Sequence, residues 1–241
     1  MIKILVLYSF QEERDFMQFL YSEQSGNERV VLKGEDFNYI VKVRRHKVGQ
    51  QIVFRSLEEG DKAYIYEIEN IEPKKVILSF VQMKNDPVGA KKSLHLGWCV
   101  VDVKSIEKAL VMLNEIGVEK ISFIYCERSQ RNIKLNFERF YKLLQSSSMQ
   151  CGRSRPMSLE LVKDLDTFLQ KNPECAVIDF SKESVQAETV HSSFLVGCEG
   201  GFSENERELF KNRAMKVLGF DTKTVLRSET AVVSLASKIL L

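Results

Sequence analysis

Two glycine-bearing turns near the C-terminus, within the stretch Phe194 to Ala231, constrain the fold of this chain more than any other feature. The first follows Phe194-Leu195-Val196 and reads Gly197-Cys198-Glu199-Gly200-Gly201, ahead of a helix start at Ser203. The second reads Leu218-Gly219-Phe220-Asp221, passes through Thr224-Val225-Leu226, and enters Arg227-Ser228-Glu229-Thr230-Ala231. Each has the form of a strand, a polar loop and a helix. Buried strands feeding tight glycine loops are places where backbone can come close to a ligand. The rest of the chain reads as support for this corner, with a separate module in front of it.

The chain has 241 residues, of which 44% are hydrophobic. That is enough for one large or two small domains with a proper core, and it argues against global disorder. No apolar run approaches a membrane span. The opening run Met1 to Tyr8 is too short for a signal peptide and lacks a cleavage site, so it reads as a first strand. Five cysteines, at 99, 126, 151, 175 and 198, form no C-x-x-C pair. Free thiols in a reducing cytoplasm fit them best. His46, His95 and His191 share no metal-ligand spacing with each other or with the cysteines, so no metal is expected.

Residues 1–71 read as short strands separated by turns, with strands at Val30–Leu32, Gln51–Arg55 and Ala63–Ile68 and one helix at Glu35–Val43. This is the pattern of a small, strongly curved antiparallel β-barrel. The crossing into a second domain, 72–241, is placed near Glu72-Pro73-Lys74-Lys75, although Val76–Gln82 still looks like strand. From Ser93 the rhythm becomes strand–helix alternation. Strands are expected at Leu94–Val101, Ile121–Cys126, Cys175–Phe180, Phe194–Val196 and Val225–Leu226. Helices are expected at Lys104–Ile116, capped by Gly117, at Leu135–Gln150, from the capping box Ser203/Glu206 to about Lys216, and at Thr230–Leu240. Such alternation argues α/β architecture, with a parallel sheet covered by helices on both faces.

Gly197-x-Glu199-Gly200-Gly201 is not a dinucleotide fingerprint, and no P-loop occurs, which disfavours an ATPase. Glu199 alone reads as a turn residue. Arg227 and Glu229 read equally as a structural ion pair, with Ser228 as an N-cap. Glu127-Arg128-Ser129 lies at the C-terminal end of another predicted strand, the edge where open α/β sheets bind ligands. Three polar loops at one edge favour an active site. Net charge is only +2, yet Lys42-Val43-Arg44-Arg45-His46-Lys47 is basic, and Arg128 to Arg155 holds seven Lys or Arg against one acid. Each run is a solvated face or a grip on a phosphate-rich partner.

These residues resemble the RsmE family of bacterial methyltransferases, which belong to the SPOUT superfamily. The resemblance rests first on Gly197-Cys198-Glu199-Gly200-Gly201-Phe202-Ser203 with Glu206, and on Leu218-Gly219 followed by Val225 to Ala231. Supporting matches are Asn114 to Val118, Glu127-Arg128-Ser129, Gln150 to Arg153 and Val43 to Gly49, the last within a PUA-like barrel. Cys198 stands where the family has proline, Arg44 where it has leucine, and Asn38 where histidine is usual.

The resemblance implies a C-terminal SPOUT domain with a trefoil knot, a PUA-like barrel before it, and a homodimer paired through the knotted domains. It implies transfer of a methyl group from S-adenosyl-L-methionine to N3 of one uridine in the 16S ribosomal RNA of the small subunit. It places the cofactor at Leu195, Gly197, Gly200, Gly201, Leu218, Gly219, Val225, Leu226 and Arg227. N3 carries a proton, so a base or a charge stabiliser is needed. The candidates are Arg128, Glu199, Arg227 and Glu229, and the sequence does not rank them. An arginine, Arg227 or Arg128, is expected to favour the deprotonated uracil, with Glu229 holding an arginine in place. RNA phosphates are assigned to Arg44, Arg45, Lys47, Arg131, Arg153 and Arg155. Two other readings stay open: a SPOUT methyltransferase for another RNA site, and a non-catalytic RNA-binding assembly factor.

Overall fold

The structure is a computed structural model and describes residues 19–189 and 191–241; the first strand expected at Met1–Tyr8 lies outside the described residues. The chain forms two units, one of residues up to Gly89 together with Ser148–Arg155, the other of Ala90–Ser147 and Pro156–Leu241.

The first unit is built on five strands: β1 (Phe19–Tyr21), β2 (Arg29–Lys33), β3 (Gln51–Arg55), β4 (Lys62–Glu72) and β5 (Lys75–Asn85). Their order is β1-β3-β4-β5-β2, antiparallel except that β1 runs parallel to β3. Among the described residues this sheet is open, with β1 and β2 at its edges. Successive side chains point to opposite faces, so β3 sends Ile52 and Phe54 into one apolar cluster and Val53 into another. A register shift at Ile65/Tyr66 explains why both of these neighbours on β4 are buried. The expected helix at 35–43 is present as α1 (Gly34–Phe37), continued by a π-helical stretch Asn38–Val43.

The domain crossing expected at residues 72–75 falls in the turn between β4 and β5, which pair along their length. The units divide instead at Gly89/Ala90.

The second unit holds six parallel strands: β6 (His95–Cys99), β7 (Lys120–Ile124), β8 (Ser158–Val162), β9 (Ala176–Ile178), β10 (Ser193–Val196) and β11 (Val217–Leu218), in the order β11-β9-β10-β6-β7-β8. The helices are α2 (Val103–Ile116), α3 (Phe137–Cys151), α4 (Leu165–Lys171), α5 (Glu204–Asn212) and α6 (Ser228–Leu240). Gly117 ends α2 in the left-handed region, at φ 108°, as its position predicts. Helices cover both faces. His95 meets the ring of Phe168 on α4, whereas Trp98, three residues on and so on the other face, bonds to Ser228 at the start of α6. Phe123, beside Trp98 on β7, packs on Phe140 of α3. Among the described residues no helix is long and apolar enough to cross a membrane.

Two expectations are corrected here. Val225–Leu226 is not a strand, because β9 already has Val217–Leu218 along that side. The helix from the capping box stops at Asn212 rather than near Lys216, and Ala214 beyond it has a left-handed φ of 50°. The short elements β8 and α4 had no predicted counterpart.

Candidate active site

The loops leaving the C-terminal ends of β9 and β10, with those after β7 and β11, surround a cavity of about 630 Å³. Its walls include Arg128, Asp179, Phe180, the whole turn Gly197–Phe202, Arg207, Gly219, Val225 and Leu226.

The first turn is closed by the Gly201 N–H, which donates to the Cys198 carbonyl at 2.9 Å. Gly201 itself has φ 65°, where a side chain is strained. The helix after it begins with the predicted capping box: Ser203 Oγ accepts from the Glu206 N–H at 3.1 Å, and Glu206 Oε2 accepts from the Ser203 N–H at 2.8 Å. Glu206 does more than cap. It is buried, and its other oxygen accepts from the Glu127 N–H at 2.8 Å, fixing the loop after β7 against the glycine turn. Arg128 on that loop donates from Nη1 to the Gly200 carbonyl at 2.7 Å. A guanidinium held at one end and exposed at the cavity wall is a fixed positive charge.

The second turn is held differently. Gly219 donates to the Glu183 carbonyl at 2.7 Å, and its own carbonyl accepts from the Val185 N–H at 2.9 Å. A Cβ on Gly219 would lie 2.9 Å from the Ser181 carbonyl oxygen, so glycine is required there by the neighbouring backbone. Ser228 is not an N-cap by its side chain. It is buried, accepts from the Trp98 indole N–H at 2.8 Å and donates to the Gly197 carbonyl at 2.5 Å. The indole, the hydroxyl and the first turn thus form one chain of hydrogen bonds through the sheet edge.

Of the candidate catalytic residues, Arg128 and Glu199 line the cavity; Arg227 and Glu229 are not among its walls. The Arg227 side chain is 83% exposed, and its nearest approach to Glu229 is 4.0 Å. Of the cofactor candidates, Gly197, Gly200, Gly201, Gly219, Val225 and Leu226 line the cavity, while Leu195 and Leu218 are buried in β10 and β11 behind it. Val225 and Leu226 have irregular backbone with no backbone partner among the described residues, leaving their amides to water or a ligand. The residues the sequence did not single out are Asp179 and Arg207, paired at 2.8 Å on the cavity wall, and Trp98.

All five cysteines are free, and four are buried. Burial pushes the Cys99 thiol up, and contact with Cys126, then burial, holds Cys198 well above the ordinary thiol range. Burial makes these thiols packing groups rather than nucleophiles, with Cys198 in the cavity wall itself. Among the described residues no three His, Cys, Asp or Glu side chains could hold a metal ion.

The RNA candidates differ in how far they are committed. Arg44 donates twice to the Tyr39 hydroxyl, at 2.9 and 2.7 Å, and lies over its ring. Arg45, at φ 59°, and Lys47 are exposed beside it. Arg155 is bound to Asp61 at 3.0 and 2.8 Å, and Arg153 Nε donates to the Arg155 carbonyl at 2.8 Å. In the second unit Arg131 is exposed.

A parallel sheet whose C-terminal edge carries glycine loops around a cavity, in a chain that also holds a separate five-stranded sheet, has the architecture of an α/β enzyme that binds its ligand at the sheet edge. Residues 89–240 match the RNA methyltransferase domain family, and residues 32–81 match the RNA methyltransferase PUA domain. The ribosomal RNA small subunit methyltransferase E of Helicobacter pylori is 37% identical over 225 residues, covering 92% of this chain and 98% of that one. The chain belongs to that family. Among solved structures, ribosomal RNA small subunit methyltransferase E from Neisseria gonorrhoeae, bound to S-adenosyl methionine, superposes with a TM-score of 0.75 at 17% identity, covering 92% of this chain and 95% of that one. A Legionella pneumophila methyltransferase solved with SAM gives 0.73 at 21% identity, covering 91% and 94%.

Proposed function

We propose that this protein transfers the methyl group of S-adenosylmethionine to N3 of a uridine in the ribosomal RNA of the small subunit. The observation that carries the reading is Arg128, tethered to the Gly200 carbonyl at 2.7 Å on the wall of a glycine-lined cavity. The residues present suit the cofactor. The glycines of the turn Gly197–Gly201 offer backbone without side chains, and the amides of Val225 and Leu226, which have no backbone partner among the described residues, suit an adenine edge. When bound, S-adenosylmethionine supplies a methyl already activated on a sulfonium.

The chain must then make the uracil nitrogen nucleophilic. N3 is protonated and on the Watson–Crick edge, so the target base is unpaired when it reacts. The Arg128 guanidinium acts on charge, favouring the uracil anion. Glu199, exposed on the same turn, is placed to accept the proton directly or through water. Arg227 and Glu229 take the lesser part of fixing the loop before α6. The reading includes a trefoil knot and a homodimer paired through it. Support for the knot is that Gly219 is gripped by residues 183–185 while α6 beyond it packs on α2 and β10.

The test is single-turnover methylation of small subunits purified from a strain lacking the gene, with the product nucleoside identified by mass spectrometry. Arg128→Ala should lose about a hundredfold or more in rate with cofactor saturating, and should recover in part as pH rises and the uracil ionises unaided. Full activity in Arg128→Ala, or a product other than 3-methyluridine, would refute the assignment. Saturable binding of S-adenosylhomocysteine by calorimetry separates the enzyme from a non-catalytic RNA binder.

A further inference from the structure

Beyond β9 the chain places Phe180 with 78% of its surface exposed. A second cavity, of about 650 Å³, lies against this residue, and Asp179, Phe180 and Arg207 line both it and the first. Its remaining walls include the buried Phe210 and half-buried Met215, which give it an apolar side. Lys211 lines the same cavity. Most cations nearby are neutralised: Arg207 by Asp179 at 2.8 Å and Glu204 at 3.1 Å, Arg213 by Asp166, and Lys216 by Glu183. Among the described residues Lys211 has no carboxylate within ion-pairing range. An exposed aromatic ring, an apolar wall and an unneutralised ammonium make up a single-stranded nucleotide site: a π-face for a base and a cation for its phosphate.

We propose that this second cavity seats an unpaired nucleotide adjoining the one that is methylated, its base stacked on Phe180 and its phosphate at Lys211. The inference rests on the reading of the chain as an RNA methyltransferase and adds where the RNA beside the target is held. A base that presents N3 must leave its helix, so its neighbour in the strand loses a stacking partner as well. Phe180, on the wall common to both cavities, replaces that partner. Arg207 and Asp179, locked to each other, complete the partition between the two nucleotides without adding net charge.

The experiment compares Phe180→Ala, Phe180→Tyr and Lys211→Gln in the full chain. Binding of a fluorescein-labelled oligouridylate is followed by anisotropy across a salt series. S-adenosylhomocysteine binding is measured by calorimetry and the oligomeric state by sedimentation. Phe180→Ala should weaken RNA binding by about five- to a hundredfold, with Phe180→Tyr near the parent. Lys211→Gln should lower the salt slope by about 0.7, the value for one phosphate contact on a single strand. Affinity for S-adenosylhomocysteine should not change in Lys211→Gln, since Lys211 lines only the second cavity, and RNA binding by the Phe180 variants is compared with S-adenosylhomocysteine saturating because Phe180 borders the first; the sedimentation coefficient should not change in any of them. RNA binding unaltered in Phe180→Ala overturns the proposal, as does a loss accompanied by a change in oligomeric state, which would make Phe180 a subunit contact. Phe180-dependent RNA binding by a parent protein that binds no S-adenosylhomocysteine would remove the methyl-transfer reading and leave the nucleotide site standing.

Discussion

The two glycine turns that bound the cavity look alike in sequence and are stabilised by different means. The first, at residues 197–201, takes its shape from local contacts, with Ser228 and Arg128 bonding only to its outward carbonyls. Its closing hydrogen bond joins residues three apart, Gly201 supplies the left-handed φ, and the capping box that follows is read from a four-residue window. The second, around Gly219, is held by residues far away in the chain. Its glycine makes room for the backbone of Ser181, and the far end of its loop is fixed by Ser228 bonding to Trp98 and Gly197. A glycine in a ligand-binding loop therefore does not by itself mark where the ligand comes close. At Gly219 the close neighbour is protein.

The sharpest way to break this comparison is to add one methyl group at each turn. Gly219→Ala should cost about 2–3 kcal/mol, because the Cβ meets backbone that cannot swing aside. The check is a lowered urea midpoint at unchanged slope, and an unshifted midpoint would mean that residues 179–183 yield easily. Next in size is Ser228→Ala, which leaves the Trp98 indole and the Gly197 carbonyl without their partner, at about 1–3 kcal/mol. Trp98 is the single tryptophan of the chain, so its emission reports the change directly. A spectrum and midpoint like those of the parent would show that the hydrogen-bond chain is dispensable. The smallest effect belongs to Gly201→Ala, about 1 kcal/mol, since only the left-handed backbone is penalised and the nearest foreign atom is 4.0 Å away. If Gly201→Ala proves more costly than Gly219→Ala, the contrast between the local and the distant turn fails.

Much of the fold was legible because its signals are local. Helix α2 shows apolar residues at helical spacing and a glycine stop, and β3 was read with its observed limits. What was missed had weak or competing signals. β8 and α4 are five and seven residues long, too short for periodicity to declare them. Val225–Leu226 has strand-like residues, yet a strand needs a partner, and the place beside β9 belongs to Val217–Leu218. The domain crossing was set at a turn sequence, Glu72 to Lys75, that serves a hairpin inside one unit. Turn chemistry states that the chain reverses, not what lies on either side of it.

The candidate site divides in the same way. The sequence by itself determined the two turns and the capping box at Ser203 and Glu206, and it nominated four charged residues, Arg128, Glu199, Arg227 and Glu229. The turns and the capping box depend on residues within one turn or one loop. Only the tertiary structure decided which of the four stand on the cavity wall. It brought Arg128 to the Gly200 carbonyl across 72 positions of sequence and left Arg227 mostly in solvent, and it turned Glu206 from a cap into a clamp on Glu127, 79 positions away. The physical reason is that adjacency in a parallel sheet follows strand order, not chain order. The loops after β7 and β10 are neighbours because β6 alone lies between their strands, a fact that no local pattern of residues encodes.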